Sequence, residues 1–456
     1  MIEFYVYIAF SFFVVLYLVR KHKPKYGLVT FLLCFWIFYD DVGNKAEFKI
    51  SLPGFDLQPM RVLFLFCLVF LFTKPFIDKY RRRNKDLLQV KPKYESLLIV
   101  FILIVVVSLA VNYGYLGPVN FYLEISVITR FLVIYLTVRA IADEGVYLTV
   151  RDTIIVVCVV SSLVAFAQYA DQSFFRVNPN YARSAFAGLI RSTGVFRDDY
   201  LHSYVVFTGL IWVYFAVTPG TKKNLLIGLF LTSIFIAFMR MGYIVTALAL
   251  GHAFYFKTQA SSKIKILVTT VSVMMFVFAA FWVLTSGILD SSVAQERMLD
   301  EGTMDLRYKI WEKGLEESVS STKAFLFGHG SKENPAYGEA IYEVTRSDLW
   351  ASGEKGGWHN LYIQFLYFNG FPAMIAFAIF IVNFARYFYV LEKRTANEFY
   401  LIPFYCIAGF AFANLTLSLT LHTNFAIILS ITSALAVWVR EKEVNQQKKY
   451  EGKNVA

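Results

Sequence analysis

The sequence predicts an all-α polytopic membrane protein, with about 12–14 transmembrane helices and one large, partly helical external loop between late helices. Three observations carry that prediction. Hydrophobic residues make up 57% of the 456-residue chain and charged residues 17%, with a mean hydropathy of +0.53, a balance unlike that of a water-soluble body. Apolar runs of spanning or near-spanning length recur along the chain. One long hydrophilic stretch, Leu289 to Trp358, interrupts them.

The runs are Phe4–Val19, Leu28–Tyr39, Val62–Phe72, Leu97–Val111, Ile125–Val138, Thr153–Tyr169, Leu201–Val217, Leu225–Met239, Tyr243–Phe256 and Ile264–Ile288, then Phe371–Leu391, Tyr400–Leu417 and Phe425–Val439. Lipid offers the backbone no hydrogen bonds, so each run reads as a helix and not as a strand. Several fall short of the roughly 20 residues a perpendicular span needs, which puts flanking polar residues at the membrane edges. Phe4–Val19 has an acidic start and no small-residue cleavage site before Arg20, so it reads as a first anchor. Cys34, Cys67, Cys158 and Cys406 sit inside apolar runs without paired spacing and read as packing residues. No short repeat, P-loop or Gly-rich dinucleotide fingerprint is present. The expected organisation is a first transmembrane part over residues 1–288, an external loop with the active-site helix over 289–370, and C-terminal helices with a cytoplasmic tail over 371–456.

Orientation follows from charge, because the basic residues of short loops stay on the cytoplasmic side. Arg20-Lys21-His22-Lys23-Pro24-Lys25, the segment Lys74 to Lys93, Lys222-Lys223, Lys257 to Lys265, Lys393-Arg394 and the tail from Arg440 share one side if the helices alternate. The amino terminus and the Leu289–Trp358 loop then lie outside, and the net charge of +11 needs no nucleic-acid partner. One loop departs from the rule. Ala170–Tyr200 belongs outside yet carries Arg176, Arg183, Arg191 and Arg197, a pattern that fits an anionic ligand or a folded re-entrant loop.

Within the hydrophilic stretch, Thr303 to Ser320 is predicted helical. Leu306, Ile310 and Val319 are apolar positions among Asp305, Lys309, Lys313 and Glu317 at i, i+4 spacing, and Arg307 shares a face with Trp311. The spacing alone equally fits an amphipathic helix resting on the bilayer with Arg307 snorkelling into water. Phe325-Leu326-Phe327-Gly328-His329-Gly330 reads as an apolar stub ending in a flexible turn. Arg240 interrupts the apolar pattern at a tight turn between two helices, as a snorkelling cation or an anion clamp. His359 follows Gly356-Gly357-Trp358 and opens an apolar segment, where a structural histidine and a catalytic one are both admissible. His202, His329, His359 and His422 lie in separate segments without ligand spacing, so no metal site is expected.

The ordered set Arg240-Met241-Gly242, Arg307 with Trp311, Gly328-His329-Gly330, and His359-Asn360 with Gly370 resembles the O-antigen ligase and polymerase superfamily, over about Ser192 to Val390. The first half resembles it only as a stack of membrane helices. Two departures stand out: Met239 replaces the small residue usual beside the turn arginine, and Asp198-Asp199-Tyr200 replaces an Asp-Pro-Asn-like element. The resemblance implies a glycosyltransferase of the bacterial inner membrane, multi-pass, with its active site facing the periplasm. Its donor would be an undecaprenyl-diphosphate-linked glycan and its acceptor another glycan or a lipid A core. Membrane lipids and other polysaccharide-assembly membrane proteins would be its partners, and no cofactor is implied. The functional residues carried over are Arg240 and Arg307 on the diphosphate and His359 as base, with Arg191, Arg197, Trp311 and Asn360 on the substrate side. Arginine suits a phosphate clamp because it stays charged and bonds in parallel pairs. The lean is towards polymerase, with ligase as the alternative. A lipid or polysaccharide flippase remains a competing class, as does a polyprenyl-linked glycosyltransferase that uses Asp40-Asp41 in its first external loop.

Overall fold

The computed structural model describes residues 92–171, 191–196, 199–237, 239–257, 301–331, 334–345, 358, 360–415 and 424–453, together with 27, 50–52, 55–57, 67 and 174. A hairpin of β1 (Ile50–Leu52) and β2 (Phe55–Leu57) is antiparallel, with Leu52 opposite Phe55. The other elements described are helical, as the sequence predicts: α1 (Lys93–Val111), α2 (Tyr113–Ile141), α3 (Glu144–Ala170), α4 (Asp199–Ala216), α5 (Thr221–Ile236) and α6 (Arg240–Lys257). The hydrophilic stretch contributes α7 (Glu301–Ser318), α8 (Thr322–Phe327) and α9 (Pro335–Thr345). Then come α10 (Leu361–Thr395), a 3₁₀ turn (Glu398–Tyr400), α11 (Leu401–Ala413) and α12 (Asn424–Lys453). The runs Phe4–Val19, Leu28–Tyr39 and Ile264–Ile288, and most of Val62–Phe72, lie outside the described residues.

By length and composition, α1, α3 and α10 can each cross a membrane, and shorter apolar helices cover Met241–Ala253 and Glu398–Ala413. Two helices are broken internally. Gly117 (φ 64°) precedes Pro118 in α2, and Gly370 (φ 83°) lies two residues before Pro372 in α10. Glycine tolerates positive φ and proline lacks the amide a helix needs, so both breaks are written into the sequence.

The chain divides into two compact units. Unit 1 comprises Met1–Ile154, Lys309–Ile407 and Asn414–Ala456, and unit 2 comprises Ile155–Tyr308 and Ala408–Ala413.

In unit 1, α10 packs along α1. Phe101 lies 5.3 Å from Phe365 and 5.4 Å from Phe377, ring centre to ring centre, and Tyr94 lies 4.6 Å from Phe384. On α12, the Ser430 hydroxyl donates to the Phe131 carbonyl of α2 at 3.0 Å. Rows of exposed apolar residues run at helical spacing along Ile99, Leu103, Val107 and Val111 of α1 and along Phe371, Ile375, Ile379 and Val382 of α10. In a spanning helix such rows face lipid. At the Tyr94 end, Arg139 is buried between Glu95 (2.6 Å) and Glu441 (2.8 Å), and the Tyr135 hydroxyl donates to Glu95 at 2.7 Å. Beside it, Glu443 accepts from Asn397 (2.8 Å) and from Tyr400 (2.7 Å).

In unit 2, α4 is buried nearly all round, with Val205, Leu210, Ile211, Trp212 and Val213 fully covered. Small residues allow this close packing. A Cβ on Gly209 would stand 2.4 Å from the Cys158 sulfur of α3, and one on Gly242 would stand 3.2 Å from Ser203.

Candidate active site

Helix α7 begins and ends within two residues of the predicted span. Ile310, Gly314 and Ser318 recur every four residues, so one face is apolar or small, and Ile310 and Ser318 are fully buried. Gly314 is required there, because a Cβ would stand 2.7 Å from the Trp358 ring. One turn earlier on this face, the Trp311 indole Nε1 donates to the Trp358 carbonyl at 2.7 Å. Arg307 is one further turn towards the start of the helix and falls on the same face by register. Lys313 ties α7 to α9 through Glu343 (2.9 Å) and also meets Glu317 (3.0 Å). Those two carboxylates, Glu343 foremost, hold its ammonium well above the ordinary lysine range. The tether is therefore complete at neutral pH and is lost only as alkali rises through that raised value.

Trp358 is fully buried and its ring lies 4.4 Å from Tyr367 and 6.0 Å from Tyr337. Burial pushes the Tyr337 phenol up to about 12, so it is neutral near pH 7. Asn360 caps α10, its side-chain oxygen accepting from the Tyr362 (2.9 Å) and Ile363 (3.2 Å) amides while its nitrogen donates to the Leu415 carbonyl (2.9 Å). Both residues that flank His359 are thus fixed by named bonds. His359 and Arg197 themselves lie outside the described residues.

The break in α10 organises the rest of this face. In an intact helix the Tyr367 and Phe368 carbonyls would accept from residues 371 and 372, but Gly370 turns the chain and Pro372 has no amide. The stub supplies the missing donors. The His329 amide bonds the Tyr367 carbonyl and the Gly330 amide bonds the Phe368 carbonyl, both at 2.8 Å. The Ser108 hydroxyl of α1 (2.6 Å) and the side-chain nitrogen of Asn112, which caps its end (3.1 Å), both donate to the Phe327 carbonyl. A Cβ on Gly328 would lie 2.4 Å from the Phe368 backbone, one on Gly370 2.5 Å from Leu326, and one on Gly330 2.6 Å from Asn112. The predicted flexible turn is instead fastened to two helices, since glycine here serves close backbone approach. The His329 ring stacks on Tyr367 at 4.4 Å, and its Nε2 donates to the Glu317 carbonyl at 3.3 Å.

In unit 2, Arg191 pairs with the buried carboxylate of Asp199 at 2.8 Å. The turn that follows is held by Gln168, whose side-chain oxygen accepts from the Thr193 (2.9 Å) and Gly194 (3.0 Å) amides. Next to it, the fully buried His202 bridges Ser161 (2.8 Å from Nδ1) and Ser233 (3.0 Å from Nε2). Arg240 is the first residue of α6, four residues after the end of α5, where the sequence predicts a helix-pair turn; its backbone alone is described.

Of the residues picked from sequence, Trp311 and Asn360 lie on elements that meet at Trp358, with Arg307 in register on α7. By the division given above, Arg191, Arg240 and Arg307 belong to unit 2, whereas Trp311 and Asn360 belong to unit 1. Sequence reasoning missed Gln168, Ser108 and Asn112. Their only signal was a polar residue inside an apolar run, for Ser108 and Gln168, or directly at the end of one, for Asn112.

Residues 225–378 match the family model Wzy_C, O-antigen ligase, and this supports the O-antigen ligase/polymerase superfamily. No curated protein matches the chain. The matched residues run from α5 into α10 and take in Arg240, Arg307, Trp311, His359 and Asn360, while Arg191 and Arg197 precede them.

Proposed function

We propose that this membrane protein, with the O-antigen ligase match over residues 225–378, is a glycosyltransferase of the bacterial inner membrane. It polymerises undecaprenyl-diphosphate-linked repeat units into O-antigen or exopolysaccharide on the outer face. The observation that carries this reading is that one family match spans the turn arginine, the loop helix and the Trp358-His359-Asn360 segment.

In the proposed step, the acceptor hydroxyl oxygen attacks the anomeric carbon as the bond to the diphosphate oxygen breaks on the opposite face, which inverts the configuration. The electron pair leaves with the diphosphate, and the hydroxyl proton passes to His359. Arg240 and Arg307 stabilise the departing charge, so cations fixed in the chain supply what a metal would otherwise provide. The position of Arg240 at the first turn of α6 supports this role, because the free amides and dipole of a helix start also favour an anion. The bonds of Trp311 and Asn360 within the chain support a positioning role for both, on either side of His359. Arg191 contributes as a third cation only if the diphosphate exchanges with Asp199.

The test is complementation of a deletion strain with Arg240→Ala, Arg307→Ala and His359→Ala at normal expression. Each is expected to cut surface-glycan assembly by about 100-fold or more. Full ladders from all three would overturn the assignment. A second reading, ligation to a lipid A core, is favoured by the description of the matching family. The deletion strain separates the two: single-repeat product indicates a lost polymerase, and full-length chains stranded on the carrier indicate a lost ligase.

A further inference from the structure

The exposed rows of α1 and α10 end at the same level, and what stands there is aromatic. On α10 the row Val382, Ile379, Ile375 ends at Phe371, directly after the break at Gly370. On α1 it ends at Val111, followed by the exposed Tyr113 and Tyr115. The stub α8 is seated between these two ends. Phe325 stacks on Phe371 with ring centres 5.0 Å apart and planes 14° apart, Leu326 beside it is 39% exposed, and the Lys323 ammonium lies 5.5 Å over the Tyr115 ring. Apolar rows that give way to exposed aromatics and then to a lysine follow the polarity profile of a bilayer from acyl chains to headgroups.

We propose that Lys323, Phe325 and Leu326 of α8, with Tyr113, Tyr115 and Phe371, form a membrane-interface anchor. Its occupant is the headgroup–acyl boundary of the phospholipid leaflet on the loop's side. Continuity selects lipid as the occupant, because the patch extends two rows that themselves face lipid, and Phe325 touches the last residue of one of them. The backbone bonds from His329 and Gly330 to α10, and from Ser108 and Asn112 to Phe327, make the anchor rigid with the spanning helices. The break at Gly370 therefore marks the boundary. The 25 residues from Phe371 to Thr395 cover about 37 Å, enough for the span, and the segment from Leu361 to Gly370 doubles back beside them, with the Tyr362 and Phe365 rings 5.9 Å and 4.6 Å from the Phe377 ring. The anchor sets the depth of Trp358 and Asn360 relative to that boundary. It rests on packing alone and stands whether or not the glycosyltransferase reading does.

The test uses full-length protein with its native cysteines replaced by alanine, reconstituted in phosphatidylethanolamine and phosphatidylglycerol vesicles. Single cysteines at Phe325 and Leu326 carry a nitroxide. Collision with oxygen, which favours acyl chains, is compared with collision with a polar nickel chelate, using Glu316→Cys as the aqueous reference and Val382→Cys as the lipid reference. The expected oxygen-to-nickel ratio at Leu326 is several-fold above that at Glu316 and below that at Val382. A ratio equal to that of Glu316 would overturn the anchor. So would low collision with both reagents, which would mean that a second copy or another protein covers the patch. Lys323→Cys, on an exposed side chain, replaces either variant if it fails to fold, and its expected ratio lies between those of Glu316 and Leu326.

Discussion

The two ends of the α1–α10 pair are fastened by opposite means. At the Tyr94 end, a guanidinium and two carboxylates are buried together, and the Tyr135 hydroxyl donates to Glu95. At the Asn112 end, a broken helix offers two carbonyls and a short stub offers two amides, while Ser108 and Asn112 complete the joint. Charges taken out of water must be paired or they cost several kcal/mol, so the first end is sensitive to any single loss. The second end depends on how closely backbones approach, so it is sensitive to added atoms. Ion pairs tolerate small shifts in side-chain position, whereas main-chain bonds between backbones that leave no room for a Cβ hold the loop directly against the span. The second device therefore suits the side that carries the candidate site.

Breaking the buried ion cluster should have the largest effect. Arg139→Ala leaves Glu95 and Glu441 without their shared cation and is expected to cost about 3–5 kcal/mol in denaturant unfolding of the purified protein. A loss below about 1 kcal/mol would show that ions do not hold this end. Next comes Gly370→Ala, which combines positive φ with a Cβ 2.5 Å from the Leu326 backbone. About 2 kcal/mol or more is expected, read as a lowered thermal midpoint. Unchanged stability there would mean that the stub is not pressed against the break. Asn112→Ala removes a donor shared by the Ser108, Phe327 and Gly328 carbonyls, and about 1–2 kcal/mol should follow, with faster amide exchange at His329 and Gly330. The smallest effect sharpens the contrast between buried and exposed charge. Lys442→Ala breaks an exposed pair with Glu144 and a contact of the ammonium over the Trp438 ring, and it should change stability by no more than about 1 kcal/mol, less at high salt.

The helices themselves were legible because lipid forces each backbone group to close its own bonds, so apolar length alone announces an element. Arg240 at a helix-pair turn and Arg307 one turn from Trp311 followed from spacing in the same way, although the helix after the turn begins at Arg240 itself. The joint at the Asn112 end was not legible. Gly328-His329-Gly330 shows its meaning only beside the carbonyls that Gly370 and Pro372 free, and Ser108 meets Phe327 across 219 residues of sequence. Arg191 read as one of four loop arginines that fit an anionic ligand or a folded re-entrant loop, and folding gives it Asp199, eight residues on, as a partner.

The sequence by itself determined an all-α membrane protein with an arginine-bearing loop helix and a Trp-His-Asn segment opening a late helix, because local periodicity and the cost of bare backbone in lipid act within a few turns of chain. Only the tertiary structure decided which glycines must lack a side chain, which amides repair the broken helix, and which charges are buried in pairs. Those outcomes depend on atoms brought together from distant parts of the chain, and no local pattern encodes such distances.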